Sequence, residues 1–189
     1  MKSIRVRHLA LFSAALMLFA TTSAVFAQAG ASADDKHFVE EALKGGKSEV
    51  ELGRLATQKG ASDDVKMFGQ KMVTDHTKLD EKMDAVATEI GVKPPDMASA
   101  GGIATKAKLE MLSGKSFDDA YISAMLKDHE DDLQAFKNEA ANGTSPAVKR
   151  AAHEGEMVVS QHLEMIRKIA QAHNVSAENK PQSAGPSGL

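Results

Sequence analysis

Residues 62–91 read SDDVKMFGQKMVTDHTKLDEKMDAVATEIG, and this stretch sets the fold. Val65, Phe68, Met72, Leu79, Met83, Val86 and Ile90 recur in steps of three and four, which lines them along one face of an α-helix. Ser62 supplies an N-cap, with Asp63 and Asp64 in the first turn where the helix dipole favours acids. Gly91 stops the helix, and Pro94 and Pro95 keep it from resuming. The stripe is broken once, by a gap of seven residues between Met72 and Leu79, and His76 fills that gap. A long helix with a histidine in its apolar stripe needs partner helices to cover it.

The flanking sequence supplies them. Residues 34–59 lack proline and end at Gly60, so they form the first arm of a helical hairpin. After the prolines, residues 103–112 read as a short helix ended by Gly114, and Ser116 with Asp119 predicts a capping box for the next long helix. That helix stops near Asn142 and Gly143, and Ser145 with Pro146 opens a last one reaching about His173. Four helices of about 25–29 residues, each on the order of 40 Å long, predict an all-α, ferritin-like four-helix bundle. The long connection carrying the short helix predicts two hairpins joined by a crossover. Gly45 and Gly46, inside the first helix, mark either a kink or a close backbone contact.

The chain of 189 residues has no Cys and no Trp, and only one Tyr and seven Phe. Disulfides, Cys-ligated metals and thiol nucleophiles are therefore excluded, and the core must be aliphatic. Lys2, Arg5 and Arg7 precede an uncharged apolar stretch ending in Val25-Phe26-Ala27, the pattern of a signal peptide over residues 1–27. Its removal leaves 20 basic residues of the original 23 against 26 acidic ones. Three of the seven Phe also go, so neither a basic stripe nor a stacking platform exists for nucleic acid. The expected product is a periplasmic protein exported by the Sec route, with no integral membrane segment and with peripheral association with the envelope left open. The bundle domain is expected over residues 34–173. Residues 174–189, with Pro181 and Pro186, are expected to be a disordered tail.

The motif of the second helix recurs. Phe68, Met72, Val73, Asp75 and His76 match Tyr121, Met125, Leu126, Asp128 and His129 at a constant offset of 53 residues, which reads as two copies of one hairpin unit. Val158, Val159 and His162 echo it in the last helix, with Gln161 in place of Asp. Helical spacing turns all three histidines inward, and it puts Asp75 and Asp128 at the bundle edge or outside it. In the first helix Phe38, Ala42, Gly45, Leu52 and Ala56 form the stripe, and its missing position is Glu49. Counting from the turns places Glu49 level with His76, and His162 offset from His129 by about 7–8 Å. Glu49, His76, His129 and His162 are thus the candidate ligands of a divalent transition metal, with Fe, Mn, Zn and Cu all suited to imidazole and carboxylate. Met72 and Met125, one turn before two of the histidines, add a soft donor type that suits copper. The competing reading is a metal-free buried polar network in a structural or interaction module. No catalytic residue is assigned, because no phosphate loop or nucleophile elbow is present.

The segments Glu49-Val50-Glu51-Leu52-Gly53-Arg54-Leu55-Ala56, Met72-Val73-Thr74-Asp75-His76-Thr77, Phe117-Asp118-Asp119-Ala120-Tyr121 and Asp128-His129 resemble the exported bacterial family called domain of unknown function 4142. The resemblance covers residues 34–172. It implies a ferritin-like four-helix bundle in the Gram-negative cell envelope, where such proteins are often labelled outer-membrane proteins. It brings no known reaction and names no protein partner. Di-iron bundles use Glu-x-x-His, whereas Val73, Leu126 and Val159 stand three residues before the histidines here, so ferroxidase chemistry is not expected.

Overall fold

The computed structural model describes residues 30–176. Five helices follow in order: α1 (Ala33–Lys59), α2 (Asp63–Glu89), α3 (Ala100–Glu110), α4 (Gly114–Asn142) and α5 (Pro146–His173). No strand occurs among the described residues, and the architecture is the all-α, ferritin-like bundle of two hairpins and a crossover. The leader over residues 1–27 lies outside the described residues, as does the tail from residue 177 onward.

Each long helix packs on two neighbours, α1 on α2 and α4, and α5 on α2 and α4, which leaves α2 diagonal to α4 and α1 diagonal to α5. Asp118, at the start of α4, accepts from the Ala61 and Ser62 amides at 2.9 Å each, so α2 and α4 begin at the same end of the bundle. The repeat of 53 residues therefore matches the second helix of one hairpin to the first helix of the other. It is not a hairpin duplication, which would match α1 to α4. Two parallel, diagonal helices meet the same core layers from opposite corners, and like environments select like residues.

The start of α4 also differs from the sequence reading. Ser113 is the N-cap and the helix begins at Gly114; Ser116 forms no capping box, because it already lies within the first turn. Asp119 instead holds Lys115 one turn back. The short helix starts at Ala100, where Ser99 caps it by accepting from the Gly102 amide at 3.0 Å. Ser99 also meets Ser48 of α1 at 3.0 Å, which pins the crossover to the bundle.

Close approach explains two glycine positions in α1. A side chain at Gly46 would strike the Asp80 carboxylate of α2 at 1.9 Å, whereas one at Gly45 would meet nothing within 4 Å. Gly53 and Gly69 face one another so tightly that a Cβ on either would lie 2.7 Å from the other's carbonyl oxygen. These contacts fix the antiparallel register of α1 against α2 and bring Glu49 opposite His76.

The interior has two apolar ends. One is built on Phe68, Met72, Phe117, Tyr121, Met125 and Ile166. The other is built on Val39, Leu43, Met83, Phe136, Val148 and Val159. Between them, in the sequence of every long helix, lies one polar position.

Candidate metal centre

Those four positions are Glu49, His76, His129 and His162, all buried, with His129 and His162 at 0% exposure. His76, His129 and His162 come together. Their ring centroids are 5.9 Å (His76 to His129), 5.2 Å (His76 to His162) and 5.6 Å (His129 to His162) apart. One ligand nitrogen from each lies within 4.8 Å of the others. The axial offset counted along α4 and α5 thus does not separate His162 from the group, because side chains lean along their helices to close it.

Hydrogen bonds settle the tautomers of two rings. His129 Nδ1 lies 2.9 Å from the Met125 carbonyl oxygen, which can only accept, so Nδ1 carries the proton and Nε2 presents a lone pair. His162 Nε2 lies 2.9 Å from Asp75 Oδ2. Burial works to raise the Asp75 pKa, but the hydrogen bonds from Lys71 and His162 outweigh it and hold the carboxyl below its usual range. Asp75 therefore accepts as a carboxylate, and the lone pair of His162 sits on Nδ1. Asp75 is only partly at the edge where the sequence puts it, since its carboxylate reaches inward to the ring; Asp128, too, is half-buried.

The lone-pair nitrogens, His129 Nε2 and His162 Nδ1, make no hydrogen bond, and neither does either nitrogen of His76. Burial lowers the pKa of all three rings, to about 3 for His129; His129 and His162 also oppose a charge on His76, and His162 opposes one on His129. The imidazoles are therefore neutral at neutral pH, and the contact of His162 with Asp75 is a hydrogen bond to a carboxylate rather than an ion pair. Neutral His76 keeps one N–H, so the unpaired nitrogens bring three lone pairs and one donor into the buried middle of the bundle.

Glu49 is 3% exposed and lies outside this triangle of imidazoles. Its Oε2 has no hydrogen-bond partner, as is also true of the buried Tyr121 hydroxyl. Burial first, then Asp132 and Asp128 of α4, push the Glu49 carboxyl well above its usual pKa. Met72 and Met125 are fully buried in the aromatic end of the core.

A family model described as Domain of unknown function (DUF4142) matches residues 20–169. The chain belongs to this family. The DUF4142 fold is similar to that of a DUF305 fragment from Deinococcus radiodurans, at 14% identity and a TM-score of 0.67, over 76% of this chain and 99% of that one. It is also similar to a DUF305 protein from Streptomyces coelicolor named as a candidate secreted protein, at 15% identity and a TM-score of 0.65, over 77% and 96% of the two chains. A third likeness is to a two-domain protein from Anabaena variabilis with DJ-1/ThiJ/PfpI-like and ferritin-like domains, at 17% identity and a TM-score of 0.58, over 84% of this chain and 43% of that one. At these identities the likeness is one of fold. No functionally curated protein matches the chain. Among the described residues, no helix is long and apolar enough to cross a membrane.

Proposed function

We propose that this DUF4142 protein is exported to the periplasm and there holds a divalent transition ion between His76, His129 and His162, with Glu49 as the carboxylate donor from α1. The observation that carries the reading is the orientation of the rings. The Met125 carbonyl and the Asp75 carboxylate each take one N–H, the second-shell arrangement that fixes a histidine's tautomer at a metal, and one nitrogen from each of the three rings lies within 4.8 Å of the others. A metal-free network would pair each lone pair with a donor, and here the single N–H of His76 stands against three unpaired lone pairs.

A zinc ion with Zn–N of about 2.0–2.1 Å needs nitrogens roughly 3.4 Å apart, so nitrogens now within 4.8 Å of one another would close by at most about 1.4 Å. Neutral imidazoles suit Zn, Fe, Mn and Cu alike, and the ion's charge would be compensated by Glu49 and, through His162, by Asp75. Bound in this way, the ion links the four long helices and stabilises the folded state by mass action. The function this supports is binding or buffering of a transition metal in the cell envelope, with envelope stress as its setting. Export rests on the leader pattern of residues 1–27.

Elemental analysis of untagged protein purified from the periplasm tests the reading, alongside His76→Ala and His129→Ala. Near-stoichiometric metal in the wild type, lost in both variants, is the expected result. A wild type without metal, and without a thermal shift on adding Fe, Mn, Zn or Cu, would leave the histidines as structural core.

A further inference from the structure

The groove between α2 and α5 is a cavity of about 600 Å³, and one of its lining residues, Asp75, bonds to the histidine centre. Lys71, Asp75, Lys78 and Lys82 recur in steps of four, three and four, so they share the face of α2 that borders it. Two polar links cross from α2 to α5: His162 with Asp75 at 2.9 Å, and Lys82 with Glu154. Along α2 these links are about 10 Å apart, at 1.5 Å per residue. Between them lie Lys78, Leu79, Met157 and Val158. Met157 is 48% exposed. Among the described residues, Lys78 has neither a hydrogen bond nor an ion pair, whereas Lys71 and Lys82 each hold an acid. The slot thus combines one uncompensated positive charge with an open apolar floor.

We propose that this slot binds an organic anion of the medium-chain carboxylate class, and that its binding tightens the hold of the histidine centre on a metal. A bare inorganic anion would leave Met157 and Val158 in water, and a neutral apolar ligand would leave Lys78 without a counter-charge. A cation would meet only carboxylates that already have partners. The ligand's carboxylate sits by Lys78, and its chain runs along Leu79, Met157 and Val158 toward the Lys82–Glu154 link, so apolar burial adds to a charge-assisted bond. A cleft of this volume suits a small ligand of that kind. The coupling, which rests on the metal-binding reading, runs through a single oxygen. Asp75 Oδ2 accepts from Lys71 at 2.7 Å and from His162 at 2.9 Å. Lys71 lies two turns from Lys78 on the same face, and a carboxylate in the slot competes with Asp75 for its ammonium. Asp75 Oδ2 is then left to His162 alone and polarises the ring more strongly, which makes Nδ1 a better donor to a metal. Linkage requires the converse, that a bound metal tightens the hold of the slot on the anion.

Isothermal titration calorimetry of the purified protein with decanoate, below its micelle concentration and at low salt, tests the slot. Decanoate is expected to bind, with acetate and decanol at least about tenfold weaker because each lacks one half of the recognition. Lys78→Gln should weaken decanoate about tenfold and Met157→Ser about threefold; both side chains are exposed, so the fold is kept. Lys168→Gln, an exposed site on α5 outside the groove, should leave binding unchanged. No decanoate binding, equal binding of acetate or decanol, or wild-type affinity in Lys78→Gln would overturn the site. Capture of the protein on phosphatidylglycerol vesicles without decanoate binding would also overturn it, and would give the lysines to a membrane surface. For the coupling, zinc affinity is expected to rise about threefold in saturating decanoate. In Lys71→Gln it should be raised already and gain nothing further from decanoate. A zinc affinity that decanoate leaves unchanged would overturn the coupling alone. Failure of the wild type to take up zinc would sink the metal reading and the coupling with it, while the decanoate titrations still decide the slot.

Discussion

Two sets of buried polar side chains in this bundle are treated in opposite ways. Asp35, fully buried near the start of α1, accepts from the Ser32 amide at 2.6 Å, the Thr144 amide at 2.8 Å, the Ser145 amide at 3.2 Å and the Thr144 hydroxyl. Burial opposes its ionisation, but these bonds outweigh it and hold the carboxyl far below its usual pKa. One carboxylate thereby caps α1 and locks the turn between α4 and α5, as Asp118 locks the turn between α1 and α2 at the other end. In mid-bundle, by contrast, His76, His129 and His162 leave four ring nitrogens unpaired. The end carboxylates Asp35 and Asp118 are held by backbone donors, whereas the ring nitrogens of the middle have no such partners.

The comparison breaks most visibly at the latch. Asp35→Ala strands several backbone donors and should cost about 3–4 kcal/mol, read as a lower urea midpoint, with metal retention unaffected. His76→Leu is expected to do the reverse in metal-free protein: two unpaired nitrogens leave the core, and stability rises by about 1–3 kcal/mol while metal binding is lost. A fall in the metal-free urea midpoint would instead mark His76 as part of a structural network.

Glu139 adds a pH test at the latch. Burial, then its hydrogen bond to Asp35, raises its pKa to about 7. The unfolded chain releases this proton near pH 4.5 and the folded one only near 7, so stability should fall as pH rises across that window. Glu139→Gln should remove the fall, gaining about 1 kcal/mol at alkaline pH and little at pH 5, as followed by thermal melts. The smallest effect is expected at Gly45, between the two sets. Gly45→Ala should stabilise by about 0.5 kcal/mol through helix propensity, whereas Gly46→Ala should destabilise by forcing Asp80 aside, a contrast visible in paired urea titrations.

Much of this was legible in the chain because local signals and tertiary demands agree. Ser62, Gly60, Gly143 and Pro146 punctuate helices wherever they stand, and the gap at His76 is visible in periodicity alone. Gly45 and Gly46 were ambiguous, since only the Asp80 carboxylate opposite distinguishes them. The latch needs Asp35 to meet Thr144 across 109 residues, which no local pattern announces. Asp75 stands at the bundle edge, but its bond to His162 is not readable from angular position, which says nothing of how far a side chain reaches. Glu49 was read correctly as a stripe position, but the acids of α4 that it faces belong to a different helix pair.

The most direct test is anomalous diffraction from crystals of the zinc-loaded protein. A single peak among the three rings is expected, bound by His129 through Nε2 and by His162 through Nδ1, with Met125 and Asp75 holding the opposite nitrogens. A peak only at surface histidines such as His153 or His173, or coordination of His129 through Nδ1, would contradict the histidine layer as a metal centre.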